Sequence, residues 1–65
     1  MKTISEHYGR GRFDNRRAVI NENEYKYSVD LYLGDVHQRT VDASEHSFWF
    51  AEDIAENWIT GIIKD

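Results

Sequence analysis

The sequence predicts an α+β fold in which one C-terminal amphipathic helix packs across one face of a three-stranded antiparallel β-meander. Two periodicities carry this prediction. Apolar and polar residues alternate over residues 25–33, which is the period of two of a half-buried strand. Over residues 47–63 apolar residues recur about every 3.6 positions, which is typical of a helix with one buried stripe. With 65 residues, the chain is long enough for a single domain, 1–65.

The predicted meander covers residues 17–42. Glycine and polar residues mark the turns between its strands, which we place at residues 17–20, 25–33 and 36–42. The face that packs under the helix is expected to carry Ala18, Ile20, Tyr25, Tyr27, Val29, Leu31, Leu33 and Val36.

The register of the last two predicted strands depends on the turn between them. A two-residue turn places Leu33 opposite Val36 and Asp30 opposite Arg39, an opposite-charge pair on the outer face. A three-residue turn with a bulge would shift the last strand by one residue and bring Val41 inward. Both registers are open at this point.

The predicted helix spans residues 47–63. Its apolar side chains fall within an arc of about 140° on a helical wheel; they are Phe48, Ala51, Ile54, Ala55, Trp58, Ile59 and Ile62. This stripe can cover the apolar face of the meander, and the small side chains of Ala51 and Ala55 would let the helix approach the strands closely.

The first sixteen residues show no clear periodicity, and we expect a loop or a loosely attached edge. Their charge is distinctive, because residues 1–19 carry a formal charge of +3 within a chain whose total is −4. Four of these basic groups lie close together in sequence, namely Arg10, Arg12, Arg16 and Arg17.

The composition excludes several classes of protein. The chain has no cysteine, which rules out a disulfide framework and a thiolate zinc site. No apolar run approaches the roughly 20 residues of a membrane span, and the first residues lack a signal segment, so we expect a cytoplasmic protein without membrane contact. His7, His37 and His46 are far apart in sequence. We therefore predict no metal site, no cofactor and no enzymatic activity.

Two aromatic residues lie outside the apolar stripe of the predicted helix. Trp49 and Phe50 would face water if the helix includes them, and aromatic side chains are enriched at protein interfaces. The alternative is a later helix start that tucks one ring under the sheet edge. Tyr32 on the outer sheet face is a third candidate anchor, and an acidic rim is formed by Glu52, Asp53 and Glu56.

These anchors predict a non-catalytic protein-interaction module. We expect a homodimer, because a core this small gains from self-association, or a contact with another protein. The second hypothesis is nucleic-acid binding through Arg10, Arg12, Arg16 and Arg17, since arginines interleaved with glycine and aromatics can track phosphates and stack on bases. The overall negative charge opposes that second hypothesis.

The last forty residues resemble small uncharacterised proteins of tailed cyanophages. The resemblance rests on a β-hairpin followed by a helix with the pattern Ala-Glu-x-x-Ala-x-x-Trp, which here is residues 51–58. It implies a phage accessory protein that works in the cytoplasm of a bacterial host and binds a host or viral protein. It implies no activity and no functional residues.

Overall fold

Four antiparallel strands and one helix are described over residues 2–62 of a computed structural model. They are, in chain order, β1 (Lys2–Tyr8), β2 (Arg16–Asn23), β3 (Lys26–Leu33), β4 (Val36–Ala43) and α1 (Phe48–Ile59), with a 3₁₀ turn at Gly11–Phe13 between β1 and β2. The sheet order is β1-β2-β3-β4. The predicted α+β class, antiparallel sheet and C-terminal helix are confirmed, whereas the predicted number of three strands is wrong.

The additional strand is β1, which lies at the sheet edge and pairs with β2. The alternation of apolar and polar residues that is typical of a strand is missing from its sequence for two reasons. The register shifts between Thr3 and Ser5, so the inward and outward positions exchange part-way along the strand. In addition, Ile4 is the residue of β1 that packs against the core, and the other side chains are polar or exposed. Residues 2–8 of this segment therefore form an edge strand, whereas residues 9–15 form the connection to β2 and contain the 3₁₀ turn.

The core lies between α1 and the face of the sheet that α1 covers. The helix contributes Ala51, Ala55 and Trp58, all fully buried. The strands contribute Ala18, Ile20, Val29, Leu31 and Ala43, which are also fully buried. The small side chains of Ala51 and Ala55 bring the helix close to the sheet, as the sequence predicts.

The hairpin between β3 and β4 has a two-residue turn, with Leu33 opposite Val36 as predicted. The predicted pairing of Asp30 with Arg39 is wrong. The register shifts between Leu31 and Tyr32, so that Asp30 lies opposite Thr40. A bulge inside β4, rather than a longer turn, produces the shift and turns Val41 toward the core.

The turn between β2 and β3 is later than the sequence predicts. Asn23 pairs with Lys26, and the two turn residues Glu24 and Tyr25 both adopt positive φ, at 54° and 67°. Two successive positive φ values match the right-handed twist of the flanking strands. Tyr25 was expected on the core face, but in this turn it is 90% exposed. Val36, also expected there, is 62% exposed beside the next turn.

The helix ends at Ile59, four residues before the predicted end. The Gly61 amide donates to the Trp58 carbonyl and the Ile62 amide donates to the Asn57 carbonyl, with Gly61 at φ 81°. This is a Schellman motif, which satisfies the last carbonyls and turns the chain away. Ile62 is consequently 70% exposed and is not part of the buried stripe; residue 63 lies outside the described range. Within that range, no helix combines the length and apolar character needed to cross a membrane.

Gly61→Ala should destabilise the protein more than Gly34→Ala, although both glycines have positive φ. A Cβ at Gly61 would lie 2.4 Å from the Phe13 ring, whereas a Cβ at Gly34 would meet nothing within 4 Å. We expect a loss of about 1 kcal/mol for Gly34→Ala from backbone strain, and about 2–4 kcal/mol for Gly61→Ala because steric overlap is added. Urea unfolding of the two variants measures the difference. Equal losses would contradict the packing of Phe13 on the helix end.

Candidate functional site

The side of α1 that faces solvent carries two large aromatic rings. The helix begins at Phe48, so both Trp49 and Phe50 lie within it, and the later start considered from the sequence is not observed. Trp49 is 76% exposed. Phe50 is 39% exposed and stacks on the His46 ring, with centroids 3.8 Å apart.

An acidic rim continues this surface along the helix. Trp49, Phe50, Glu52, Asp53 and Glu56 together line a shallow depression of about 600 Å³, and we call this set the α1 outer face. The helix contains no lysine or arginine from its first to its last residue. Glu52 Oε2 lies 2.6 Å from His7 Nε2 of β1, a contact that is an ion pair when His7 is protonated and that ties the rim to the sheet edge. The structure thus brings together five of the six predicted contact residues.

Tyr32, the sixth, lies on the other side of the molecule. It alternates with the buried Leu31 along β3, so its side chain lies on the sheet face opposite α1. Its ring packs edge-on against His37 at 5.3 Å and lies under the Arg17 guanidinium at 4.3 Å. Tyr32 therefore cannot share a contact surface with Trp49.

A polar network that the sequence analysis did not predict crosses the sheet face opposite α1. Its centre is Asp30, which accepts hydrogen bonds from Asn21 Nδ2 at 2.8 Å and from Thr40 Oγ1 at 2.5 Å. Thr3 of β1 extends it by donating to Asn21 Oδ1 at 3.0 Å. The network links all four strands, and the outward position of Asp30 in β3 was the one available signal.

Asp30, Thr40 and His37 meet in this network, but not as a proton relay. His37 Nε2 lies 3.2 Å from Asp30 Oδ1 and 3.0 Å from Thr40 Oγ1. A relay of the serine-hydrolase kind needs the carboxylate on one ring nitrogen and the hydroxyl on the other. Here both groups reach the same nitrogen, so the arrangement supports the sheet rather than an activated hydroxyl.

The four arginines considered for nucleic-acid binding do not form one surface. Arg16 lies 4.3 Å from the Trp58 ring and 5.3 Å from the Phe13 ring, and its Nη1 donates to the Trp58 carbonyl at 3.1 Å. Arg17 covers Tyr32. Arg10 and Arg12 are exposed at the 3₁₀ turn, and Arg10 borders a second depression of about 680 Å³ beside the end of α1.

The segment that leads into α1 is ordered by Asp42. Its carboxylate accepts a hydrogen bond from the Ser44 backbone amide at 2.8 Å. Hydrogen bonds from the Ser44 hydroxyl and then from this amide hold the pKa of Asp42 below its ordinary value, with smaller contributions from the charges of Lys26 and His46.

Within residues 2–62, no three or more His, Cys, Asp or Glu side chains converge in a way that could hold a metal ion. No protein-family model, curated protein or solved structure matches the chain.

The two tryptophans should report opposite environments. Trp49→Phe leaves Trp58, which is fully buried, and Trp58→Phe leaves Trp49, which is 76% exposed. We expect acrylamide to quench the fluorescence of the Trp58→Phe variant several-fold more strongly. Circular dichroism confirms that both variants are folded. Equal quenching in two folded variants would contradict the orientation of α1.

Ser44→Ala should raise the pKa of Asp42 toward its ordinary value of 3.8, because the hydroxyl hydrogen bond is lost. A depressed pKa contributes stability above pH 3.8 that is lost as the pH falls through the folded value. The variant should therefore be less stable than the wild type above pH 3.8, and the difference should disappear as the pH falls through the folded pKa. An NMR titration of the Asp42 carboxyl carbon measures the shift. Ser47→Ala is the control, because the Ser47 hydroxyl makes no capping hydrogen bond.

Proposed function

We propose that this chain is a non-catalytic protein-interaction module whose contact surface is the α1 outer face. The observation that carries the proposal is the 76% exposure of Trp49 beside the half-covered ring of Phe50. Large aromatic side chains are depleted on ordinary surfaces and enriched at the centres of interfaces, where their burial contributes much of the binding energy. A polar, acidic rim around them is the usual anatomy of such a patch.

The surface is preorganised for binding. Trp49 and Phe50 are held on a helix whose opposite side is fixed by fully buried side chains, so a partner would not have to order the backbone. Phe50 is further held by its stack on His46. Little conformational entropy would be lost on docking, which favours a module that works by surface contact.

The proposed setting is the cytoplasm of a bacterial host, with a host or viral protein as the partner. The cyanophage-like helix pattern supports this setting. Self-association to a homodimer is the second form that the contact could take, because Trp49 and Phe50 would also be buried between two copies.

Nucleic-acid binding is the second candidate function. Arg10 and Arg12 are exposed, and Tyr8 beside them is 59% exposed, so a cation pair and a ring are available for phosphate and base contacts. Arg16 and Arg17 contribute less to such a surface, because both guanidinium groups already stack on rings of this chain. The candidate is therefore the weaker of the two.

Site-specific photo-crosslinking tests the proposed surface. We would replace Trp49 by p-benzoylphenylalanine in one variant and Tyr25 in another, and irradiate bacterial cells that produce each. Tyr25 is the matched control, since it is an aromatic residue that is 90% exposed but lies in the β2–β3 turn. We expect discrete protein adducts from position 49 and none of them from position 25.

The size of the adducts separates the forms of the contact. An adduct of twice the mass of the chain indicates the homodimer, and a different mass indicates another protein. No adduct from position 49, or the same adducts from both positions, would contradict the proposed function.

A further inference from the structure

We propose that the α1 outer face binds a basic segment of its partner, with an arginine or lysine side chain lying on the Trp49 ring between the neighbouring carboxylates. This inference rests on the proposed function and names the chemistry of the partner. Helix geometry provides the arrangement, because residues three and four positions apart are neighbours on one face. Glu52 and Asp53 are these neighbours of Trp49, and Glu56 follows them by the same spacing.

The charge of this face is uncompensated over much of its length. Glu52 contacts His7 and Asp30 contacts His37, and each contact is an ion pair when the histidine is protonated. Asp53 and Glu56 take part in neither. Because α1 has no basic residue of its own, the potential over the outer face is negative, and a basic segment is the complementary partner.

The exposed indole suits the same ligand. Cations are attracted to the faces of aromatic rings, most strongly to tryptophan. This chain already uses the contact, with Arg16 at 4.3 Å from the Trp58 ring and 5.3 Å from the Phe13 ring, and with Arg17 at 4.3 Å from the Tyr32 ring. Trp49 meets Phe48 edge-on at 6.0 Å and is otherwise open, so an incoming guanidinium can reach its ring.

The same charges oppose a symmetric homodimer through this face. A two-fold axis brings the same surface of two copies together. Six carboxylates, from Glu52, Asp53 and Glu56 of both copies, would then lie in one interface, and like charges at an interface are unfavourable. The occupant that fits is therefore a basic partner rather than a second outer face.

An NMR titration of the whole chain tests this inference with defined probes. The protein is labelled with ¹⁵N, and a peptide of alternating arginine and glycine is added at low salt; a peptide with glutamate in place of arginine is the charge control. We expect the Trp49 indole signal to shift with the arginine peptide alone. The Trp58 indole should stay in place, because its N–H is buried and donates to the Tyr32 carbonyl.

Two double variants distinguish the effect of the local charge of the outer face on peptide binding from the effect of the overall charge of the protein. Asp53→Asn with Glu56→Gln removes two charges from the outer face, and Glu24→Gln with Asp35→Asn removes two from exposed turn residues elsewhere. We expect the first pair to weaken binding of the arginine peptide about five-fold, since exposed ion pairs are individually weak. The second pair should leave binding unchanged.

Three results would overturn the inference. In the first, the glutamate peptide shifts the Trp49 indole signal as much as the arginine peptide does. In the second, the two double variants bind the arginine peptide equally well. In the third, the Trp49 signal shifts when the protein alone is concentrated and the Arg10→Ala, Arg12→Ala variant loses that shift, which would make the occupant a second copy. Adducts from position 49 whose yield is unchanged in the Asp53→Asn, Glu56→Gln background would leave the proposed function standing while removing the basic partner.

Discussion

The architecture depends on the burial of Trp58. Its ring is fully buried, its indole N–H donates to the Tyr32 carbonyl at 3.0 Å, and its other side is covered by Arg16. One side chain thus joins α1 to β3 and to the start of β2. Removing a buried ring of this size typically costs about 3–5 kcal/mol, which is a large part of the stability of a small domain.

The position of Trp58 also decides which residues face solvent. Trp49 precedes it by nine residues, and at about 100° per residue this places the two side chains roughly 180° apart around the helix. Burying one indole therefore exposes the other. The same rotation places Asp53 and Glu56 away from the sheet. The proposed contact surface is thus a consequence of how the core is packed, rather than a separate feature added to it.

Periodicity made α1 and the β3–β4 hairpin predictable, because their side chains repeat against one buried face. β1 was not predictable in this way, since a polar edge strand with a bulge is held mainly by backbone hydrogen bonds, which leave no side-chain pattern. The aromatic and acidic residues of α1 could be grouped from helical spacing alone. Tyr32 could have been excluded from that group, because its alternation with Leu31 already places it on the sheet face that the helix does not cover.

The arginine-rich segment shows how a local sequence signal can mislead. Arg16 was grouped with its neighbours by charge, but its guanidinium lies at the C-terminal end of α1, where it bonds the Trp58 carbonyl and complements the helix dipole. The 3₁₀ turn with Arg10 and Arg12 is thereby fixed near the end of the helix, opposite to the end that carries Trp49. Positive and negative charge are consequently separated along α1. In the proposed complex, such a dipolar distribution favours the approach of the basic segment to the aromatic end of α1.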